Sequence, residues 1–178
     1  MSNYIYLDHA ATTPVDPKVR KVMSPFWNKQ FGNSSSVHRF GQEAGAAITK
    51  VRKQIADFLY CQPEEIIFTS GATESNNLAI KGIANFALNL FQVQKKKVLP
   101  HIITSGIEHP AVIESCFALE RTGISTSYIN ANKSGIVEIE QILDAITDET
   151  ILISLMYVNN ETGIVQNVKA LGKKLIII

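Results

Sequence analysis

Three short segments carry residue types able to bind and transform a small molecule. Ser70-Gly71-Ala72-Thr73-Glu74-Ser75-Asn76-Asn77 joins an apolar, β-branched run to a stretch with helical spacing. Small residues at such a junction leave backbone N–H groups uncovered at a helix N-terminus, where free donors and the macrodipole together favour a phosphate. Ser105-Gly106-Ile107-Glu108-His109-Pro110 is a second junction of this kind. An imidazole at its mouth could stack on a planar ring or exchange a proton with a substrate. In the third, Val158-Asn159-Asn160-Glu161-Thr162-Gly163, consecutive asparagines end an apolar run and offer amide donors. Taken singly, each segment also reads as an ordinary turn built from Ser, Thr, Asn and Gly. Their shared position beyond the carboxyl ends of strands, where open α/β sheets bind ligands, favours a site.

The elements that must hold these loops follow from apolar periodicity. Short β-branched runs predict strands over 66–69, 101–104, 126–129, 151–158 and 175–178. Helical spacing predicts helices over 37–59, 73–90, 110–121 and 138–146. Strands alternating with helices predict an α/β fold, a mainly parallel sheet with helices on both faces. Near the N-terminus, Asp16 is a candidate cap for a helix with Pro17 at its first position. Leu7 to Pro14 reads as an extended arm. Lys173-Lys174 belongs to a helix-like stretch that runs into the apolar Leu175-Ile176-Ile177-Ile178, an abrupt place for a strand to stop.

Composition narrows the function classes. The 178 residues suit one globular domain, and 46% hydrophobic residues suffice for a core. A formal net charge of +1 gives no broad field to attract nucleic acid or an anionic membrane, and the one basic run, Lys95-Lys96-Lys97, reads as a solvated connection. No apolar run approaches the roughly 20 residues of a membrane span, and no secretory leader opens the chain, so a soluble, cytoplasmic protein is expected. Cys61 and Cys116 stand far apart without metal-ligand spacing. Both read as small buried hydrophobes, and no metal site is expected.

Five segments, Tyr6-Leu7-Asp8-His9-Ala10-Ala11-Thr12-Thr13-Pro14, Phe31-Gly32-Asn33-Ser34-Ser35-Ser36-Val37-His38-Arg39-Phe40-Gly41, Phe68-Thr69 with the first loop through Asn77, Glu108-His109, and Met156-Tyr157 with the third loop through Gly163, resemble the N-terminal part of a cysteine desulfurase. These are pyridoxal-phosphate enzymes of the class V aminotransferase group. Ser34 departs from the proline that many relatives carry after Phe-Gly-Asn. The resemblance implies an aspartate-aminotransferase-like fold, with residues 1–14 as an arm on the small-domain side and 15–178 as an incomplete cofactor-binding large domain. It implies that Ala72 and Thr73 bind the cofactor phosphate. His109 would stack on the pyridine ring and assist proton transfer, and Asn160 would bond near the phenolic oxygen.

By the same resemblance, the intact protein would be a homodimer. It would take sulfur from L-cysteine, leaving L-alanine and an enzyme persulfide for iron–sulfur or thio-cofactor assembly, with a sulfur acceptor or scaffold as partner. Selenocysteine is an alternative substrate. The ring-nitrogen aspartate, the Schiff-base lysine and the sulfur-accepting cysteine fall later in a family chain than Ile178. No lysine here stands at the carboxyl end of a predicted strand. This chain alone is therefore expected to be inactive, either a truncated product or a half that pairs with another chain, and poorly soluble or oligomeric.

Overall fold

A computed structural model describes residues 4–175. The chain forms two compact units, Met1–Phe68 and Thr69–Ile178.

The first unit is helical. Helix α1 spans Pro17–Met23, and its start is as the sequence predicts: Asp16 Oδ1 accepts from Lys18 N–H at 2.6 Å, with proline in the first turn, where its missing N–H costs nothing. A single turn, α2, covers Pro25–Asn28, and the long α3 covers Arg39–Leu59. Gly41, buried in the first turn of α3, lies against the Ser36 carbonyl with no room for a Cβ. The strand expected at 66–69 does not form. These residues follow a 3₁₀ turn, Pro63–Glu65, and have no ladder partner among the described residues, and Ile67 and Phe68 are exposed. A β-branched run becomes a strand only where a neighbouring strand takes up its backbone groups. Arg52 instead donates to the Ile66 carbonyl and stacks its guanidinium 4.8 Å from the centre of the Phe68 ring.

The second unit holds the sheet. Helix α4 spans Ala72–Val93, followed by β1 (His101–Ser105), α5 (Pro110–Glu120), β2 (Ser125–Ile129), α6 (Ile139–Asp144), β3 (Thr150–Ser154) and α7 (Val168–Leu175). The strands are parallel in the order β2-β1-β3. Because neighbouring side chains alternate across a strand, Ile102 and Ile103 point into different cores. Ile102 packs with Ile80 and Ala84 of α4 and Val112, Cys116 and Leu119 of α5. Ile103 packs with Val137, Ile142 of α6 and Leu171 of α7. Helices on both faces of a parallel sheet are therefore what the alternation of elements predicted. Strand β3 stops at Ser154, short of the expected 158, and Val158 makes only an isolated antiparallel bridge to Val165. Leu175, expected to open the last strand, is instead the last described residue of α7, and residues 176–178 of that expected strand lie outside the described residues.

The order β2-β1-β3 fixes where a crevice opens. From β1 the chain leaves to α5 on one face; from β3, its neighbour, it leaves to α7 on the other. Loops diverging from adjacent parallel strands leave a cleft at the carboxyl edge of the sheet. At the opposite edge, His101 joins all three strands through Ser127 Oγ and Thr150 Oγ1, each at 2.9 Å. Burial lowers its pKa from the ordinary 6.5, which favours the neutral ring such a bridge uses.

Candidate functional site

At the first junction, α4 begins on Gly71, which has no side chain to cap it. Glu74 turns back instead: its Oε2 accepts from Ser70 N–H at 2.7 Å and from Ser70 Oγ at 2.6 Å, and these bonds hold its carboxyl below the usual carboxylate range. The carboxylate thus occupies the donors of Ser70. Ala72 and Thr73 stand in the first turn, where backbone N–H groups have no intrahelical acceptor. Both residues are exposed. Thr73, Asn77 and Lys81 follow at fourfold spacing and so share one face of α4.

At the second junction His109 is the N-cap of α5. Its Nδ1 accepts from Ala111 N–H at 3.0 Å, so the neutral imidazole carries its proton on Nε2, which faces away from the cap. The preceding residue is inward: Glu108 is half-buried, and its Oε1 accepts from Ser105 Oγ at 2.8 Å and from Met156 N–H at 2.6 Å. Burial pushes the Glu108 pKa up from 4.5, and the two hydrogen bonds oppose that rise.

The third junction repeats this inward–outward pairing. Asn159 is buried, donating Nδ2 to the Ile107 carbonyl at 3.1 Å, while its Oδ1 accepts from Thr162 N–H at 2.9 Å and Glu161 N–H at 3.1 Å. Asn160 is exposed, with its amide donating to Glu161 Oε1 at 2.7 Å.

Thr73 and His109 line one cavity of ≈370 Å³ between α4 and α5, shared with Asn77, Lys81, Glu114 and Ser115. Ala72 stands beside Thr73 at the helix start. Asn160 is not among the lining residues; it belongs to the β3 exit, which Asn159 ties to Ile107, two residues before His109. Lys81 lies in the cavity wall, although it sits at no strand end, because a helix face carries its side chains along the cleft. Glu108 and Asn159 are not identifiable as anchors from sequence. Their partners, Met156 and Ile107, are main-chain groups far away in the chain, and the only local signal is a polar residue immediately before each candidate.

Cys116 is fully buried, as expected, and its thiol is pushed up to about 11 by burial and then by Glu120 and Glu108, so it stays protonated and unreactive. Cys61, expected to be buried, is only partly so, because the helix ahead of it ends at Leu59 and Tyr60 turns the chain outward at φ 56°.

The sequence matches the aminotransferase class-V family over residues 5–176. It is 49% identical over 172 residues to the cysteine desulfurase IscS of Escherichia coli O139:H28, a match covering 95% of this chain and 41% of that protein. Among solved structures, "SspA in complex with cysteine" superposes with a TM-score of 0.87 and 40% identity, covering 97% of this chain and 47% of its own. A "NifS-like protein" superposes with a TM-score of 0.83 and 35% identity, over 92% and 43% respectively. The chain therefore spans less than half the length of these relatives.

Proposed function

Since the chain belongs to the aminotransferase class-V family, we propose that it forms the phosphate- and ring-binding part of a pyridoxal-phosphate-dependent cysteine desulfurase. The observation that carries this reading is the common cavity of Thr73 and His109 beside an uncapped helix N-terminus. The donor set fits the group: backbone N–H groups and a hydroxyl for a phosphate, an imidazole face for a flat ring, and a carboxamide on the neighbouring loop. When bound, pyridoxal 5′-phosphate serves as an electron sink that weakens the bonds around a substrate's Cα.

In this reading Ala72 and Thr73 hold the phosphate through backbone N–H groups and the Thr73 hydroxyl. His109 covers one face of the ring. Because Ala111 N–H occupies Nδ1, proton transfer by this residue runs through Nε2. Asn160 releases Glu161 and donates to the ring's phenolic oxygen. Residues 1–14 form the arm on the small-domain side, and 15–178 contribute to the large domain. The whole protein acts on L-cysteine as a cytoplasmic homodimer, releases L-alanine and passes sulfur to an acceptor or scaffold protein.

The test is to supply the whole protein with pyridoxal 5′-phosphate, L-cysteine and excess dithiothreitol, which reduces the enzyme persulfide and releases its outer sulfur, and to quantify alanine and sulfide. Equal amounts of both, falling at least about 100-fold in His109→Ala, are the expected result. Pyruvate and ammonia appearing with the sulfide in place of alanine, or a sulfur-retaining keto acid formed without sulfide, would overturn the assignment.

A further inference from the structure

We infer that Glu108 and Asn159 form a reciprocal clamp that fixes where His109 and Asn160 meet a ligand. The inference deepens the cofactor-site reading above and rests on it. Beyond Thr104 and Ser154, the last residues paired between β1 and β3, the sheet no longer holds the two exit loops together, and they diverge to opposite faces. Among the described residues, two hydrogen bonds bridge them there. Glu108, on the β1 loop, accepts from Met156 N–H of the β3 loop at 2.6 Å. Asn159, on the β3 loop, donates to the Ile107 carbonyl of the β1 loop at 3.1 Å.

Each bridging residue immediately precedes an exposed one in sequence, so the clamp acts through one peptide unit on His109 and on Asn160. The division of labour is visible in what the polar atoms do. Glu108 Oε1 is taken by Met156 N–H and Ser105 Oγ. Asn159 Oδ1 gathers Glu161 N–H, Thr162 N–H and Thr162 Oγ1. Those two oxygens are committed to the loops themselves, whereas His109 keeps Nε2 and Asn160 keeps a carboxamide at the surface. Both are positioning residues. Without Glu108 the Met156 N–H loses its acceptor and the loops are free to separate at the cleft. The phosphate donors of α4 lie outside the clamp, so ring binding depends on it and phosphate binding does not.

Titrating the full chain with pyridoxal 5′-phosphate and, separately, with inorganic phosphate tests this. Glu108→Ala is expected to weaken pyridoxal phosphate about tenfold and leave inorganic phosphate unchanged. Glu108→Gln, whose carbonyl oxygen accepts the same two bonds, is expected to stay close to wild type. Asn159→Asp keeps the acceptor that organises its own loop but loses the donor to Ile107, and is expected to resemble Glu108→Ala even if that variant folds poorly. Equal weakening of both probes, or Glu108→Gln as impaired as Glu108→Ala, would overturn the clamp. So would unaltered pyridoxal phosphate binding in Glu108→Ala and Asn159→Asp while Thr73→Ala loses it. A wild-type chain that takes up neither probe would overturn the cofactor reading, and the clamp with it.

Discussion

His109 has different tasks for its two ring nitrogens, and substitutions can separate them. Nδ1 caps α5 by accepting from Ala111 N–H, and losing such a cap costs about 1 kcal/mol. His109→Ala is therefore expected to lower the unfolding free energy by about that amount and to abolish ring binding. His109→Asn replaces one cap with another and should lose only the binding, which denaturant unfolding and ligand titration together will show. Glu108 adds a pH signature. Its folded pKa lies above 4.5, so the stability it confers is fully present below pH 4.5 and is lost as pH rises through the folded value. Urea unfolding of wild type and Glu108→Gln across that range should converge at the acid end, with the variant gaining relative to wild type as pH rises. At this scale the convergence of Thr73 and His109 on one cavity was legible, because both stand at strand-to-helix junctions. Glu108 was not, because a half-buried carboxylate is explained only by Met156, and tertiary distance is invisible to spacing.

Strand identity was decided between elements, not within them. Ile66 to Thr69 has a strand-like composition but no partner among the described residues; His101 to Ser105 is similarly rich in Ile and Thr and lies between two strands. Residues 151–158 look continuous, yet the ladder ends at Ser154 because the chain beyond bends to place Met156 and Asn159 against the β1 exit. Helices fared better, since their partners are intrinsic: α3, α4 and α5 begin and end within a few residues of where periodicity places them. Gln166 shows what neither pattern reveals. It is 1% exposed, its Oε1 accepts from Val137 N–H at 2.9 Å, and its Nε2 donates to the Gly135 carbonyl at 2.8 Å, pinning the segment before α6 to the one before α7. Gln166→Ala strands both groups in the interior and is expected to cost about 2–4 kcal/mol in urea unfolding. A loss under half a kilocalorie would mean that those groups find other partners.

For the molecule as a whole, alternation of strands and helices was enough to foretell a parallel sheet with two covered faces, and the superpositions on relatives agree with it. The separation at Phe68 into two compact units was not legible, because no linker or composition shift marks it. In the first unit Trp27, Phe31, Phe58 and Ile67 are 66%, 64%, 80% and 67% exposed, and an apolar groove of ≈370 Å³ is lined by Phe26, Ala47, Ile48, Val51 and Phe68. Apolar surface on that scale favours association. Sedimentation velocity of this chain is expected to show species that grow with concentration, and a single monomer boundary at every concentration would contradict the expectation.

Everything said about function depends on the loops at Thr73 and His109 receiving one ligand together. The direct measurement is a nuclear magnetic resonance titration of the chain with pyridoxal 5′-phosphate, following the amides of Ala72 and Thr73 and the imidazole of His109. The account predicts that these signals move along one saturation curve, with a single dissociation constant. Shifts confined to one of the two loops, or curves that saturate at unrelated concentrations, would contradict it.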